Sequence, residues 1–235
     1  FFAFKGNRFL SCVGWNFRHR DDGYVMKLYS FAPATNAQRV LMFVAEKEID
    51  LSIVEVNVRE GVLFEPSYLA MNPFSVVPFL ELDDGTCIGE SVAICRYLEE
   101  LNPNPPLCGV SAKERALVEM WNRRIEIDGF MPVVHALRNV SPGFKGRVVP
   151  GTRTDLPQSG AITERGKAQF RILVDRLDAQ LQKNTFVVGE TFTIADITGY
   201  FMVETARRID LELPESCSNV LRWYNTVASR ASVPG

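Results

Sequence analysis

Residues 71–98 constrain the fold more tightly than any other stretch of the chain. Met71-Asn-Pro-Phe-Ser-Val-Val-Pro78 is rich in turn formers and runs into a strand that starts on a proline. Pro78 has no N–H to give to a sheet ladder, so it belongs at a strand start or on an edge. The strand, Pro78 to Leu82, reaches Asp84-Gly85, a hairpin turn signal, and Thr86 to Ile88 returns. Glu90-Ser91 then opens a helix, Ser91 to Leu101, with Val92, Cys95, Leu98 and Leu101 along one side. A β-β-α unit is predicted.

Upstream, Lys27 to Phe31 reads as a short strand. Asn36 to Lys47 carries Val40, Leu41, Val44 and Ala45 at helical spacing. Ile49 to Val58 alternates Val54, Val56 and Val58 with Glu55 and Asn57, which predicts a strand with one wet face. Pro66 to Ala70 reads as a short helix or turn. The order is therefore β-α-β followed by β-β-α. Asn102-Pro-Asn-Pro-Pro106 cannot continue a helix and marks a domain boundary. Beyond it the pattern is helical: Ala112 to Asn139 with a bend at Pro132, Ile162 to Gln182, Thr193 to Ile209, and Ser218 to Ser229. Residues 143–160 form a Gly-, Pro- and Thr-rich loop, long enough for a functional or flexible role. The predicted domains are 26–104 (mixed α/β) and 105–230 (all helical).

Residues 1–25 read differently. Phe1, Phe2, Phe4, Phe9, Trp15 and Phe17 show no clean period, and Met26 is the first methionine. Lys5, Asn7, Arg8, Asn16 and Arg18 interrupt any apolar run of the kind a signal peptide needs. The segment reads as an upstream extension, a cloning remnant or a misplaced start. A tail packed on the domain, or a targeting or partner-binding role, are the alternatives.

A net charge of -2 argues against nucleic acid or an acidic membrane as the main partner. No apolar run approaches bilayer-spanning length. The five cysteines (12, 87, 95, 108 and 217) lack close paired spacing, and His19 and His135 are the only two histidines. This argues against a zinc cluster, so no metal is expected. Odd cysteine number suits a reducing, cytoplasmic setting.

Two features suit ligand binding. A cis Val77–Pro78 bond would turn the N–H and C=O of Val77 toward a ligand, although a plain strand start explains the proline equally well. Ser91 can cap the helix, but the same helix end and hydroxyl can hold a carboxylate while Glu90 takes an ammonium group.

Together, Asn72-Pro73, Val77-Pro78, Asp84-Gly85, Glu90-Ser91, Ala93-Ile94 and Tyr97-Leu98 resemble the pattern of the cytosolic glutathione S-transferase superfamily. The resemblance runs from Met26 to about residue 230. It implies a thioredoxin-like first domain and an all-helical second domain. It further implies that Val77 and Pro78 meet the cysteinyl backbone of glutathione, and that Glu90 and Ser91 hold its γ-glutamyl end. Two positions depart from the pattern: Ser75 stands where glycine is frequent, and Val76 where a polar side chain often reaches the tripeptide.

Glutathione transfer needs a thiolate, which a donor beside the sulfur and a helix N-terminus stabilise. The stretch after the first strand is Tyr29-Ser-Phe-Ala-Pro-Ala-Thr-Asn-Ala-Gln-Arg39, and Ala34 occupies the slot where the superfamily often has Ser or Cys. Asn36 is the first candidate donor, then Thr35, Ser30 and Tyr29. Thr35 or Asn36 also suits a helix cap. Arg39 is grouped with the binding residues as a support or ion-pair partner. With no cysteine in this stretch, a mixed-disulfide mechanism is disfavoured.

In the helical half, Thr193-Ile-Ala-Asp196 has capping-box spacing and reads as structural. Met120 and Arg124 are the candidate walls of an electrophile pocket, with Arg123 and Ile127 nearby. Trp121 reads as core, and His135 as structural. The resemblance implies a transferase activating glutathione toward a small hydrophobic electrophile, and a two-fold homodimer. The alternatives are a specialised glutathione-dependent lyase, isomerase or peroxidase, and a noncatalytic glutathione-binding protein.

Overall fold

The computed structural model describes residues 26–234, so the expectations for residues 1–25 lie outside the described residues. The first half is built on a four-stranded sheet. Strand β1 (Lys27–Ser30) leads into helix α1 (Thr35–Glu46), which returns the chain to β2 (Ser52–Glu55). β1 and β2 are parallel, as a strand pair joined by a crossover helix must be. Two 3-10 turns, Val58–Glu60 and Val62–Phe64, and a short helix α2 (Pro66–Met71) follow. The predicted strand over Ile49 to Val58 is thus shorter than its alternation suggests. Val56 and Leu63 are buried instead with Phe79 beneath the turns and α2.

The hairpin β3 (Phe79–Glu81) and β4 (Cys87–Gly89) completes the sheet in the order β2-β1-β3-β4, and helix α3 (Ser91–Leu101) closes the unit. Side chains alternate across the sheet. Leu28 and Leu80 pack on one face with Val40, Val44, Ile94 and Leu98 of α1 and α3. Tyr29 and Phe79 take the other face, their rings stacked with centroids 4.4 Å apart.

The second half is helical throughout: α4 (Ala112–Ile125), α5 (Met131–Val140), α6 (Gly160–Leu181), α7 (Ile194–Arg207) and α8 (Ser218–Ala228). The long helix expected over Ala112 to Asn139 is interrupted by a π-helical turn at Glu126–Phe130. The turn lies immediately before Met131-Pro132 at the start of α5. Gly129 shows why it sits there: a Cβ on it would lie 2.3 Å from both Leu173 Cδ2 and Met202 Sδ. The wider turn lets α6 and α7 approach the backbone at the one residue without a side chain.

α7 is the central helix, and its capping box is formed as the spacing predicts. Buried Asp196 accepts from the N–H groups of Thr193 and Val187, the Thr193 hydroxyl and Trp223 Nε1. Burial raises its pKa, against the pull of these four donors. The residue fixes the loop before α7 and the core tryptophan of α8 together.

Polar contacts tie α1 to the helical half and to the linker between the halves. At its far end Glu46 pairs with Arg230, Nη2 to Oε2 at 2.6 Å. Lys47 Nζ donates to the carbonyls of Asn102 and Pro105, both at 2.6 Å, and pairs with Glu99. Near its start, Arg39 is 2% exposed. Its Nη2 donates to Thr198 Oγ1 of α7 at 2.9 Å, and its Nη1 reaches Asn36 Oδ1 at 3.1 Å and Glu126 Oε1 at 3.3 Å. The guanidinium also lies 5.0 Å from the Phe130 ring centroid. The planar fork presents its donors from two separate nitrogens at fixed angles to acceptors on three elements, a spread that the compact ammonium of lysine does not match. Arg39→Lys is therefore expected to lower unfolding free energy by about 2–4 kcal/mol in urea titration, because buried acceptors lose their donor. A loss below about 1 kcal/mol would contradict this role.

Candidate functional site

The strand registers place the predicted ligand residues in a line. Tyr29 lies opposite Phe79, and Phe79 opposite Gly89. One residue beyond each pair, at the same end of the sheet, come Ser30, Pro78 and Glu90. The turn into α1, the Val77–Pro78 bond and the start of α3 therefore stand side by side, each about 4.8 Å from the next.

The Val77–Pro78 bond is cis. Neither the N–H nor the C=O of Val77 has a hydrogen-bond partner among the described residues. The loop before it is held by Asn72, whose Nδ2 donates to Val76 O at 2.8 Å and whose Oδ1 accepts from Phe74 N–H at 3.2 Å. The sequence reading used Asn72 only as part of a motif; its role is to shape this loop. Ser75 has φ 51, a left-handed conformation that favours glycine and gives a physical reason for glycine at that position.

Glu90 is the residue before α3 and has φ 66 and ψ 120. That conformation is uncommon for a residue with a Cβ and turns an exposed carboxylate out beside the helix end. Ser91 is the first helical residue, 5% exposed, and its hydroxyl has no partner among the described residues.

At the start of α1 the capping expectation needs correction. The cap is Ala34, which has no side chain able to accept, and no side-chain cap bond forms. Ala34 N–H goes to Phe31 O, and the helical ladder begins with Gln38 N–H to Ala34 O. The N–H groups of Thr35, Asn36 and Ala37 have no partner among the described residues; Thr35 and Asn36 are partly exposed at the positive helix end, while Ala37 is fully buried.

The four candidate thiol donors separate clearly. Tyr29 is removed: its hydroxyl donates to Glu81 Oε2 at 2.8 Å, and burial with the Glu81 carboxylate pushes its pKa up to about 12. Ser30 is removed as well. It is 0% exposed and shares the inner face with Leu28, so no ligand reaches it. Thr35 is turned to α7, where its Oγ1 lies 3.3 Å from Thr205 Oγ1. Thr205 has one proton and Phe201 O, at 2.7 Å, is its nearer acceptor. Thr35 Oγ1 thus stands as an acceptor beside the Thr205 hydroxyl of α7.

Asn36 is different. Arg39 can only donate, so the amide atom facing it at 3.1 Å must be oxygen. The amide NH2 is thereby aimed away from Arg39. Arg39 itself, grouped with the binding residues from the sequence, touches the site only through Asn36; its guanidinium is spent on protein acceptors.

Met120 and Arg124 line a cavity of about 450 Å3 with Trp121, Asp128, Leu173 and Arg176. This cavity lies between α4 and α6. The residue of α4 tied to the Arg39 network is Asn122, which accepts from Thr198 at 2.6 Å. Two positions along a helix are about 200° around it, so Met120 and Arg124 point away from that network. The structure does not bring them to Asn36. Arg123 pairs with Glu126 instead, Nη1 to Oε2 at 2.5 Å. His135 is half-buried on α5, its pKa lowered by burial and by Arg138 and Arg165.

The described cysteines are inert by environment: burial raises the Cys87, Cys95, Cys108 and Cys217 thiols. Cys12 lies outside the described residues. No group of three or more His, Cys, Asp or Glu among the described residues has metal-binding geometry. No helix among them is long and apolar enough to cross a membrane.

Residues 35–101 match the glutathione S-transferase N-terminal domain family, and residues 152–231 the C-terminal domain family. The chain is 32% identical over 212 residues to glutathione S-transferase 2 of Saccharomyces cerevisiae, covering 88% of each chain. Its structure is similar to that of Gtt2 from the same yeast, with a TM-score of 0.80 and 30% identity over 88% of this chain and 98% of that one. It is also similar to a glutathione S-transferase domain-containing protein of Marinobacter aquaeolei, with a TM-score of 0.82 and 32% identity over 88% and 100%. The paired thioredoxin-like and helical halves and these likenesses make the chain a member of the glutathione S-transferase superfamily.

Proposed function

We propose that the protein is a glutathione transferase whose thiol-activating group is the Asn36 amide, aided by the open start of α1. The observation that carries this reading is the line of three unfilled binding elements across one end of the sheet. A tripeptide spans about 10 Å when extended, and two strand spacings cover nearly the same distance. Glu90 and the N-terminus of α3 with Ser91 suit the ammonium and carboxylate of the γ-glutamyl residue. The free main-chain groups of Val77 suit the cysteinyl residue, running antiparallel to it. The sulfur then faces the first turn of α1.

There the amide NH2 of Asn36 and the N–H groups of Thr35 and Asn36 favour the anion over the thiol. Arg39 keeps the amide oxygen occupied, so the NH2 stays outward. Ala34 leaves the helix end uncapped and open to the sulfur. The thiolate attacks an electrophilic carbon, the S–C bond forms, the leaving group departs with its electron pair, and the thiol proton passes to solvent. Holding both reactants supplies much of the rate gain.

Asn36→Ala is expected to leave the glutathione dissociation constant within about threefold, since the γ-glutamyl and cysteinyl contacts remain, and to lower kcat by about tenfold or more through loss of one donor to the anion. Calorimetry and steady-state kinetics read the two separately. Unchanged turnover would remove Asn36 from the mechanism.

A two-fold dimer is the assembly this reading implies, and α4, the π-helical turn and α6 support it by exposing Leu117, Met120, Ile127 and Ile172. Sedimentation should show a two-chain species at micromolar concentration; a monomer there would contradict the assembly.

A further inference from the structure

The loop between α5 and α6 crosses onto the first half of the molecule. Gly151 has φ 68, and a Cβ there would sit 2.0 Å from Phe74 O and 3.2 Å from Val76 Cγ1, beside the Val77 position. Arg153 reaches further, with its guanidinium carbon 4.7 Å from the Phe64 ring centroid. Between this loop and the turn after β2 lies a second cavity, of about 500 Å3, lined by Arg59, Lys145, Gly146, Arg147, Arg153, Thr154 and Asp155. Arg59 also lies 5.8 Å from the Phe31 ring, and Phe31 begins the turn into α1. One lining residue, Arg59, thus lies over the ring that begins the turn toward Asn36, and the loop that supplies most of the lining packs on the loop before Val77.

Its charge is unbalanced. Arg59, Lys145, Arg147 and Arg153 form no ion pair among the described residues, and Asp155 is the only carboxylate in the lining. Arg138 stands just behind, donating to the Arg147 carbonyl, with burial and the Arg147 charge holding its pKa down to about 10. A chain with net charge -2 has gathered four cations here around a single carboxylate, Asp155. Such a cluster is at its best when an anion occupies it. Aromatic rings sit under the guanidinium groups: Phe31, Phe64 and Phe144.

We propose that this cavity is the acceptor subsite, and that it selects apolar, especially aryl, electrophiles carrying a carboxylate. The proposal rests on the transferase reading above and names its substrate class. One guanidinium suffices for one carboxylate. A cavity of about 500 Å3 with several cations is larger than the glycyl carboxylate of glutathione requires and lies in the range of ~300–1,000 Å3 that accommodates a whole small molecule. The hydrophobic acceptor expected from the sequence is thereby replaced by an amphipathic one, and the Met120 and Arg124 cavity is left out of the reaction.

The test uses the full chain with 4-chloro-3-nitrobenzoate and its neutral carboxamide. In both, glutathione sulfur bonds to the ring carbon, chloride leaves with the C–Cl electron pair, and the thiol proton goes to solvent. The ratio of kcat/KM, acid over amide, is compared between the parent, Arg59→Gln and Arg153→Gln, whose changed side chains are exposed. Each variant is expected to lower that ratio about tenfold, the loss of one charge-assisted contact. An unchanged ratio in both variants overturns the subsite. So does a raised KM for glutathione with an unchanged ratio, which would assign the cations to the glycyl carboxylate. If the parent turns over neither acceptor and does not bind glutathione, the transferase reading falls and the subsite falls with it.

Discussion

The buried guanidinium of Arg39 is the interaction on which most else depends. It is enclosed where α1, the π-helical turn and α7 meet, and it holds one acceptor on each. A buried charge is tolerable only when its donors are matched, so the three elements must stay in one relative position. This is a structural constraint with a chemical result. The same Nη1 that ties α1 to Glu126 fixes which end of the Asn36 amide faces outward. Thr198 and Asn122 extend the chain of contacts into the helical half, where Thr198 Oγ1 donates to Asn122 Oδ1. A residue that binds no substrate thus links domain packing to the polarity of the thiol site.

A second constraint comes from strand register. In an antiparallel hairpin beside β1, the end of one strand must face the start of the next. That geometry aligns the α1 turn, Val77 and Glu90 at a single sheet end without any long loop to position them. Local backbone devices refine the alignment. Asn72 clamps the loop through two bonds, Ser75 and Glu90 adopt left-handed φ values, and Ala34 leaves a helix end uncapped. Of the four described non-glycine residues with positive φ, Glu48, Ser75, Glu90 and Asp210, two stand at this sheet end, Ser75 and Glu90. Such conformations are the kind of local cost that functional sites retain.

Much of this was legible in the sequence because local rules act there. Periodicity located α3, α6, α7 and α8 to within two residues, and proline and Asp-Gly signals located the β3–β4 hairpin. The capping box at Thr193 and Asp196 needs only neighbours three residues apart. The misses are long-range. The π turn at Glu126–Phe130 follows from how closely α6 and α7 approach Gly129, which no window of α4 contains. Ser30 and Tyr29 looked equivalent as hydroxyls until the sheet put one inside the core and gave the other to Glu81. Which cavity Met120 and Arg124 line depends on how α4 is rotated against α6, a tertiary property that no window of the sequence contains. The basic cavity joins residues 59 and 145–155, about ninety positions apart, so the sequence showed only a long loop and scattered arginines.

The central claim is that this site binds glutathione and makes its thiol more acidic. The direct measurement is a pH titration of thiolate absorbance for glutathione at saturating protein, with S-methylglutathione as the blank. Free thiols ionise near ~8.5, and donors at the start of α1 should bring the bound thiol at least about one unit lower. Saturable binding with that shift is the predicted result. Saturable binding with the thiol pKa at or above its free value would contradict the account, leaving a protein that holds the tripeptide without activating it.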